Sequence, residues 1–235
     1  MKHHHRMGTL TLVVAPLLGA GLGLLASPLL RIEQVTIVAP TPELAAEVGR
    51  QIHLSPDASA LLYPLCHVCA QARTCYRVED CSVRRQLPHG LLVRVTAREP
   101  IAALCDPEGY TLVSREGICL YRRESRPDLP LLRGLANSRL PLGSAVDRDH
   151  WRWALELLAG ATKVGVRDGI ETDFTELYQI SVKTRAGWRG ALGNVNSLTR
   201  KVTIMGELAE QLRREGQTPR VIDVSIPESP RWTTI

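Results

Sequence analysis

The first rhythm along the chain is an unbroken apolar one. Residues 7–30 carry no charge and follow directly on Lys2, His3, His4, His5 and Arg6. Within that run, residues 9–30 supply about 22 positions, which at ~1.5 Å of helical rise span a ~30 Å hydrocarbon core. Backbone amides in hydrocarbon must be satisfied inside their own segment, so the expectation is a single transmembrane helix behind a cytoplasmic tail, residues 1–8. A secretory signal peptide is the competing reading. Leu25-Ala26-Ser27 offers a small-residue cleavage site, but Pro28 would follow the cut and the apolar run is long. Three histidines are too few for a purification tag. Lys2, Arg6 and the terminal amine place the N-terminus inside, which puts everything after Arg31 outside the cytoplasm.

Beyond Arg31 the period changes repeatedly. Val35 and Ile37 alternate with Gln34 and Thr36, which predicts a strand. Thr41 can cap a helix with Pro42 at its first position, and Leu44, Ala45, Val48 and Ile52 share one face of it. A short helix is predicted near 68–73. Cys81 and Val83 then alternate with Ser82 and Arg84, Pro88-His89-Gly90 turns the chain, and Leu91, Val93, Val95 and Ala97 return on one face. The result is a small α+β unit in the order β-α-α-β-β.

A second unit begins at Pro100. Short strands are predicted at 101–104, 110–114 and 118–121, and the proline-punctuated stretch 127–142 reads as a loop. A helix starts at Asp149, carries Trp151, Leu155 and Leu158, and meets Gly160. A hairpin follows, 177–184 with 188–192, around Ala186-Gly187. The best helical pattern runs from about 197 to 215, with Leu198, Val202, Met205, Ala209 and Leu212 as its buried stripe and Gly216 to end it. A strand over 221–226 and a proline-rich tail complete the pattern.

Composition changes this picture little. Of 235 residues, 44% are hydrophobic and 23% charged, enough for a buried core rather than a disordered stalk. One Phe, five Tyr and four Trp leave that core to Leu, Val, Ile and Ala. The net charge of +5 is spread along the chain without an aromatic-interleaved basic stripe, so nucleic acid is not an expected partner.

Six cysteines matter more. Cys66, Cys69, Cys75 and Cys81 fall close together, while Cys105 and Cys119 stand apart. Outside the cytoplasm an even count favours disulfides, and at least two are expected. A zinc or iron–sulfur site is the alternative, although the spacing matches no common zinc module and His67 lies inside the CxxC. A redox-active pair, Cys66 with Cys69, is the third reading. Four clustered cysteines allow three connectivities, and the sequence does not choose among them. No metal or other cofactor is expected.

Catalytic signatures are missing from the sequence. It contains no G-x-S-x-G, no H-E-x-x-H and no glycine-rich phosphate loop, and His53, His67, His89 and His150 are scattered among unrelated elements. The expectation is a binding protein rather than an enzyme.

Five blocks of the chain, in order, resemble one family. Val78-Glu79-Asp80-Cys81-Ser82-Val83-Arg84-Arg85 is followed by Pro88, by Leu92-Val93-Arg94-Val95 and by Arg98-Glu99-Pro100-Ile101-Ala102. Leu112-Val113-Ser114-Arg115-Glu116-Gly117 is similar to an "LVD-x-x-G" motif, with serine for aspartate, and Leu129-Pro130-Leu131-Leu132-Arg133-Gly134 to "LP-x-L-x-G". Leu192-Gly193 ahead of a helix bearing Lys201, and Ile222-Asp223-Val224 near the end, complete the set. These blocks resemble the FtsQ/DivIB family of bacterial cell-division proteins. The family usually joins its first two helices through a short glycine-containing stretch, whereas 63–75 here is rich in proline and cysteine.

The resemblance implies an α+β protein with a transmembrane helix at 9–30, a POTRA module at 31–99, a mixed α/β domain with a mostly antiparallel sheet at 100–227, and a tail at 228–235. It implies a non-enzymatic scaffold in the cytoplasmic membrane at the division septum. FtsB/DivIC-like and FtsL-like single-pass division proteins would dock on its last strand, through Val221, Ile222, Asp223, Val224, Ser225 and Ile226, with Trp232 as an anchor. Two alternatives stand beside it: a POTRA-type component of secretion or outer-membrane assembly, and an anchored thiol–disulfide oxidoreductase using Cys66 and Cys69.

Overall fold

The computed structural model describes residues 30–136, 138–164 and 170–235. The chain divides into two compact units, the first ending at Arg98 and the second beginning at Glu99.

The fold-class expectation needs correction. Among the described residues, no helix is long and apolar enough to cross a membrane. What is described is a mixed α/β protein with helices of 8 to 17 residues. The stretch assigned to the transmembrane helix lies, except for Leu30, outside the described residues.

In the first unit the order is β1 (Gln34–Val38), α1 (Pro42–Gln51), α2 (Leu65–Ala72), β2 (Val78–Gln86) and β3 (Gly90–Ala97). The Thr41 hydroxyl accepts from the Leu44 amide at 3.3 Å, and Pro42 opens α1 where its missing donor costs nothing. The three strands lie in the order β1-β3-β2, with β1 parallel and β2 antiparallel to β3. Leu44 and Val48 of α1, and Val68 and Ala72 of α2, bury against Leu91, Val93 and Val95. In β2 a register shift between Val78 and Asp80 lets residues three apart, Val78 and Cys81, both turn to the core.

The second unit comprises β4 (Pro100–Asp106), β5 (Gly109–Ser114), β6 (Cys119–Arg123), β7 (Leu131–Arg133), α3 (Arg148–Lys163), β8 (Glu171–Asp173), β9 (Ile180–Lys183), β10 (Arg189–Gly193), α4 (Leu198–Arg214), β11 (Pro219–Asp223) and β12 (Arg231–Thr234). Nine strands form one mixed sheet in the order β12-β11-β10-β9-β8-β7-β4-β5-β6. Five of its eight pairings are antiparallel; β10/β11, β4/β7 and β7/β8 are parallel.

Part of this sheet is built twice. β7-α3-β8-β9 and β10-α4-β11-β12 are both β-α-β-β segments whose first two strands pair in parallel and whose last strand returns antiparallel. Each second strand ends alike. Asp173 Oδ1 accepts from the Thr175 amide at 2.8 Å, and Asp223 Oδ1 from the Ser225 amide at 2.9 Å. The buried residue between, Phe174 or Val224, donates its amide back to the first strand, to Arg133 and Ala191, at 2.9 Å in both cases. The two helices pack on each other, and neither contact glycine has room for a side chain. A Cβ on Gly160 would lie 2.9 Å from the Thr199 oxygen, and one on Gly206 would lie 2.4 Å from the Val164 side chain. Gly160 was expected to follow α3; it lies inside it as a helix-contact position.

Three strands differ from expectation. β7 falls inside the supposed loop 127–142, β8 was not anticipated, and β12 converts the supposed tail into a sheet strand.

Candidate functional site

The expected docking strand is enclosed on both sides. β11 pairs in parallel with β10 through Val221, Ile222 and Asp223, and antiparallel with β12 on its other side. Ile222 is fully buried, as is Val224 just past the strand. Ser225 has left the ladder, with both its amide and its hydroxyl donating to Asp223 Oδ1, at 2.9 and 2.6 Å. Ile226 is exposed and begins a turn closed by the Ser229 amide on its carbonyl at 3.0 Å. The edge of the sheet is therefore β12, and among the described residues nothing pairs with its outer side.

The direction of the main-chain groups follows from two hydrogen bonds. The Ile235 amide donates inward to the Thr218 carbonyl at 3.0 Å, and the Val224 amide donates to Ala191 of β10 at 2.9 Å. Alternation along β12 then turns Arg231 and Thr233 toward β11, and Trp232 and Thr234 toward the open edge. Out of the plane the pattern is different. Trp232 stands opposite Ile222, so its indole shares the face that Ile222 buries, yet it remains 48% exposed. It does not close the core. The twofold build supplies the comparison: by register Trp232 occupies the place that Val182 holds in β9. Val182 is buried, with β10 lying along its outer side and Gly190 opposite it.

Charge at the edge is balanced. Arg231 stands opposite Asp223, and Arg200 of α4 reaches Glu228 in the preceding turn at 3.2 Å. The Asp223 carboxyl is held below its ordinary value, first by the Ser225 hydroxyl and then by the Ser225 amide and Arg231. A depressed carboxylate contributes stability that is full above the unfolded value of ~3.9 and is lost as pH falls through the folded value. Asp223→Asn keeps an acceptor for Ser225 but removes the titration. Its stability, measured by denaturant melts at stepped pH, should decline less steeply than that of the parent below pH ~4. An unchanged acid limb would remove Asp223 from the account.

All six cysteines are free thiols in this structure. Cys105 and Cys119 sit on β4 and β6 with β5 between them, at least ~9.5 Å apart, where a disulfide needs Cα atoms within ~7 Å. They also face opposite ways: Cys105 packs with Tyr110 and Tyr121, Cys119 in the core beneath α3. Cys66 is exposed near the start of α2, and Cys75 is buried between Glu47 and Arg77. Cys69 of α2 and Cys81 of β2 touch, the Cys69 thiol donating to the Cys81 carbonyl at 3.2 Å. Burial pushes the thiols of Cys75, Cys105 and Cys119 above their ordinary value. This is opposite to what a nucleophilic thiol requires.

Among the described residues, no group of three or more His, Cys, Asp or Glu side chains is placed to hold a metal ion. The histidines stay dispersed. His53 lies against the Gln51 carbonyl, His150 stacks at a tilt 5.3 Å from Trp153, and the buried Nδ1 of His89 meets no hydrogen-bond partner. One cleft of the second unit, of about 320 Å³, is lined by Arg126, Asp128, Glu171, Lys183 and Arg185. Arg126 and Arg133 both hold Glu171 there, at 3.6 and 2.6 Å.

Of the residues expected to dock, Val221, Ile222 and Asp223 lie on β11, one strand in from the edge, and Trp232 lies on the edge strand β12, which sequence periodicity does not announce. The signal for that strand is Trp-Thr-Thr behind Pro230, an aromatic and two β-branched residues suited to a short strand. A scan against models of known protein families matches none, and a search of curated proteins finds no match to the chain.

Proposed function

We propose that this chain is a non-enzymatic scaffold of the bacterial cell-division machinery, similar to FtsQ/DivIB, that acts on the extracytoplasmic side at the septum. Its partners are FtsB/DivIC-like and FtsL-like division proteins, and they add a strand along β12. One observation carries the reading. β9 and β12 end equivalent halves of the sheet, and the outer side of β9 is filled by an antiparallel strand while that of β12 is open. A partner strand laid antiparallel on β12 would repeat a pairing the protein already makes once, with main-chain hydrogen bonds for alignment and the exposed Trp232 indole as the apolar contact that retains it. The motifs from Val78 to Val224 that resemble the family supply the identity of the partner class. The proposal makes no use of a membrane-spanning helix.

The test uses the full chain and the FtsB/DivIC-like and FtsL-like proteins of the same cells. Proline at an edge strand is tolerated where its missing amide proton would have faced outward. Thr234→Pro should therefore keep the thermal transition and lose most affinity for the partner. Trp232→Ala should weaken binding by ~2 kcal/mol, the scale of a central aromatic anchor. Unchanged affinity in both variants, with the fold intact, would move the docking surface elsewhere. Recovery of an outer-membrane barrel in place of small coiled-coil proteins would favour the secretion reading.

A further inference from the structure

We infer that Cys69 and Cys81 form a reversible disulfide that clamps α2 onto β2, and that the other four cysteines take no part in an intramolecular bridge. The inference stands on geometry in the first unit and is independent of the proposed function. Cys69 lies one residue past Val68, on the side of α2 that packs against β2, and its thiol reaches the Cys81 main chain at 3.2 Å. Cys81 would point away from α2 in a regular strand that buries Val78. The register shift between Val78 and Asp80 turns it inward to meet the helix. The Cys69 thiol is near enough to that of Cys81 to favour its protonated form.

The remaining cysteines are excluded one by one. β5 separates Cys105 from Cys119, which also face opposite sides of the sheet. Cys75 shares that core but sits against Glu47 and Arg77. Cys66 is exposed at the first turn of α2 and is open to solvent disulfides without a core partner.

The chemistry is thiol–disulfide exchange. The Cys69 thiolate attacks an external disulfide R–S–S–R, one R–S⁻ leaves, and a mixed disulfide forms on Cys69. The Cys81 thiol then loses its proton and attacks the Cys69 sulfur, expelling the second R–S⁻. One S–S bond is broken and one made, the two cysteines give up two electrons and two protons, and the external disulfide becomes two thiols. The order of attack follows from burial, which together with the hydrogen bond to Cys69 pushes Cys81 up to about 12. A clamp here has a physical use, because a unit of about 65 residues buries too little surface to be more than marginally stable.

Purified full-length chain, fully reduced, is incubated with oxidised glutathione, alkylated, and digested with trypsin without reduction. Cleavage after Arg73, Arg77 and Arg84 separates Cys81 from Cys69 and isolates Cys75. The expected product is one dominant cross-link between the peptides bearing Cys69 and Cys81, with Cys105 and Cys119 alkylated. Cys69→Ser and Cys81→Ser should each abolish it, and Cys66→Ser should leave it in place. Oxidation should also raise the unfolding temperature by roughly 5 °C or more in the parent and not in Cys69→Ser, reversibly with reductant. If Cys81→Ser fails to fold, the Cys69 variant carries the comparison, since Cys69 is only half buried. Complete alkylation of all six thiols after oxidation would overturn the inference. So would a dominant Cys66–Cys69 bridge, or a link that survives in Cys69→Ser.

Discussion

Replacing Phe174 with alanine should lower the unfolding free energy of the second unit by about 3–5 kcal/mol. It is the only phenylalanine in the chain, 1% exposed, in a core otherwise built mainly of aliphatic side chains. The residue sits where β8 leaves the sheet, and its amide is fixed to the Arg133 carbonyl at 2.9 Å, so the ring cannot be replaced by a shift of the local backbone. Alanine there leaves a cavity that neighbours fill only in part. Phe174→Leu should cost far less, since it retains most of the volume. Denaturant titration reads both: the midpoint should fall while the slope stays unchanged, as befits a loss of packing rather than of compactness. A loss below about 1 kcal/mol for the alanine variant would contradict the packing described.

Gly134→Ala is expected to cost a comparable amount by a different route. Gly134 has φ +73°, and a Cβ there would lie 2.3 Å from the Thr175 nitrogen and 2.6 Å from the Thr175 Cα. Those are backbone atoms, and they cannot move freely. The Phe174 amide is bonded to Arg133 and the Thr175 amide to Asp173 Oδ1, so relief of the clash breaks at least one of these hydrogen bonds. The left-handed conformation contributes ~1–2 kcal/mol and the overpacking a further ~1–3 kcal/mol. Gly216→Ala separates the two contributions. It has φ +74° with nothing within 4 Å of the added carbon, so it should show the conformational cost alone. Equal losses at the two sites would mean that the β7–β8 junction tolerates the side chain.

The sequence carried some elements plainly and concealed others, for physical reasons that differ. α1 was legible because Thr41 and Pro42 mark its start and its apolar face repeats at helical spacing. α4 was legible from its stripe and from Gly216, which takes a positive φ just after the helix. β7 and β8 were not, since three residues give no period, and Glu171-Thr172-Asp173 is polar on its own. They are strands because neighbours on both sides supply the ladder. Gly160 resembles a helix end in the sequence, yet it lies in mid-helix, where α4 packed against it leaves no room for a side chain. The sheet edge was only partly legible: a strand near the C-terminal end was expected, but the edge itself is β12, which depends on a turn over 224–230 that no periodicity announces. For the cysteines, spacing alone could not see that β5 would separate one pair and that a bulge would bring another together.

The shortness of β12 sets a limit on how a partner can be held. Only Trp232 and Thr234 direct main-chain groups outward, which offers two amides and two carbonyls. At ~0.5–1.5 kcal/mol net for each hydrogen bond, four of them fall short of, or barely match, the ~4–15 kcal/mol cost of bringing two molecules together. Backbone pairing on this edge is thus a means of alignment rather than of retention. Any protein that stays must also cover the indole of Trp232, and its residence time will be governed by that apolar contact more than by the strand it adds.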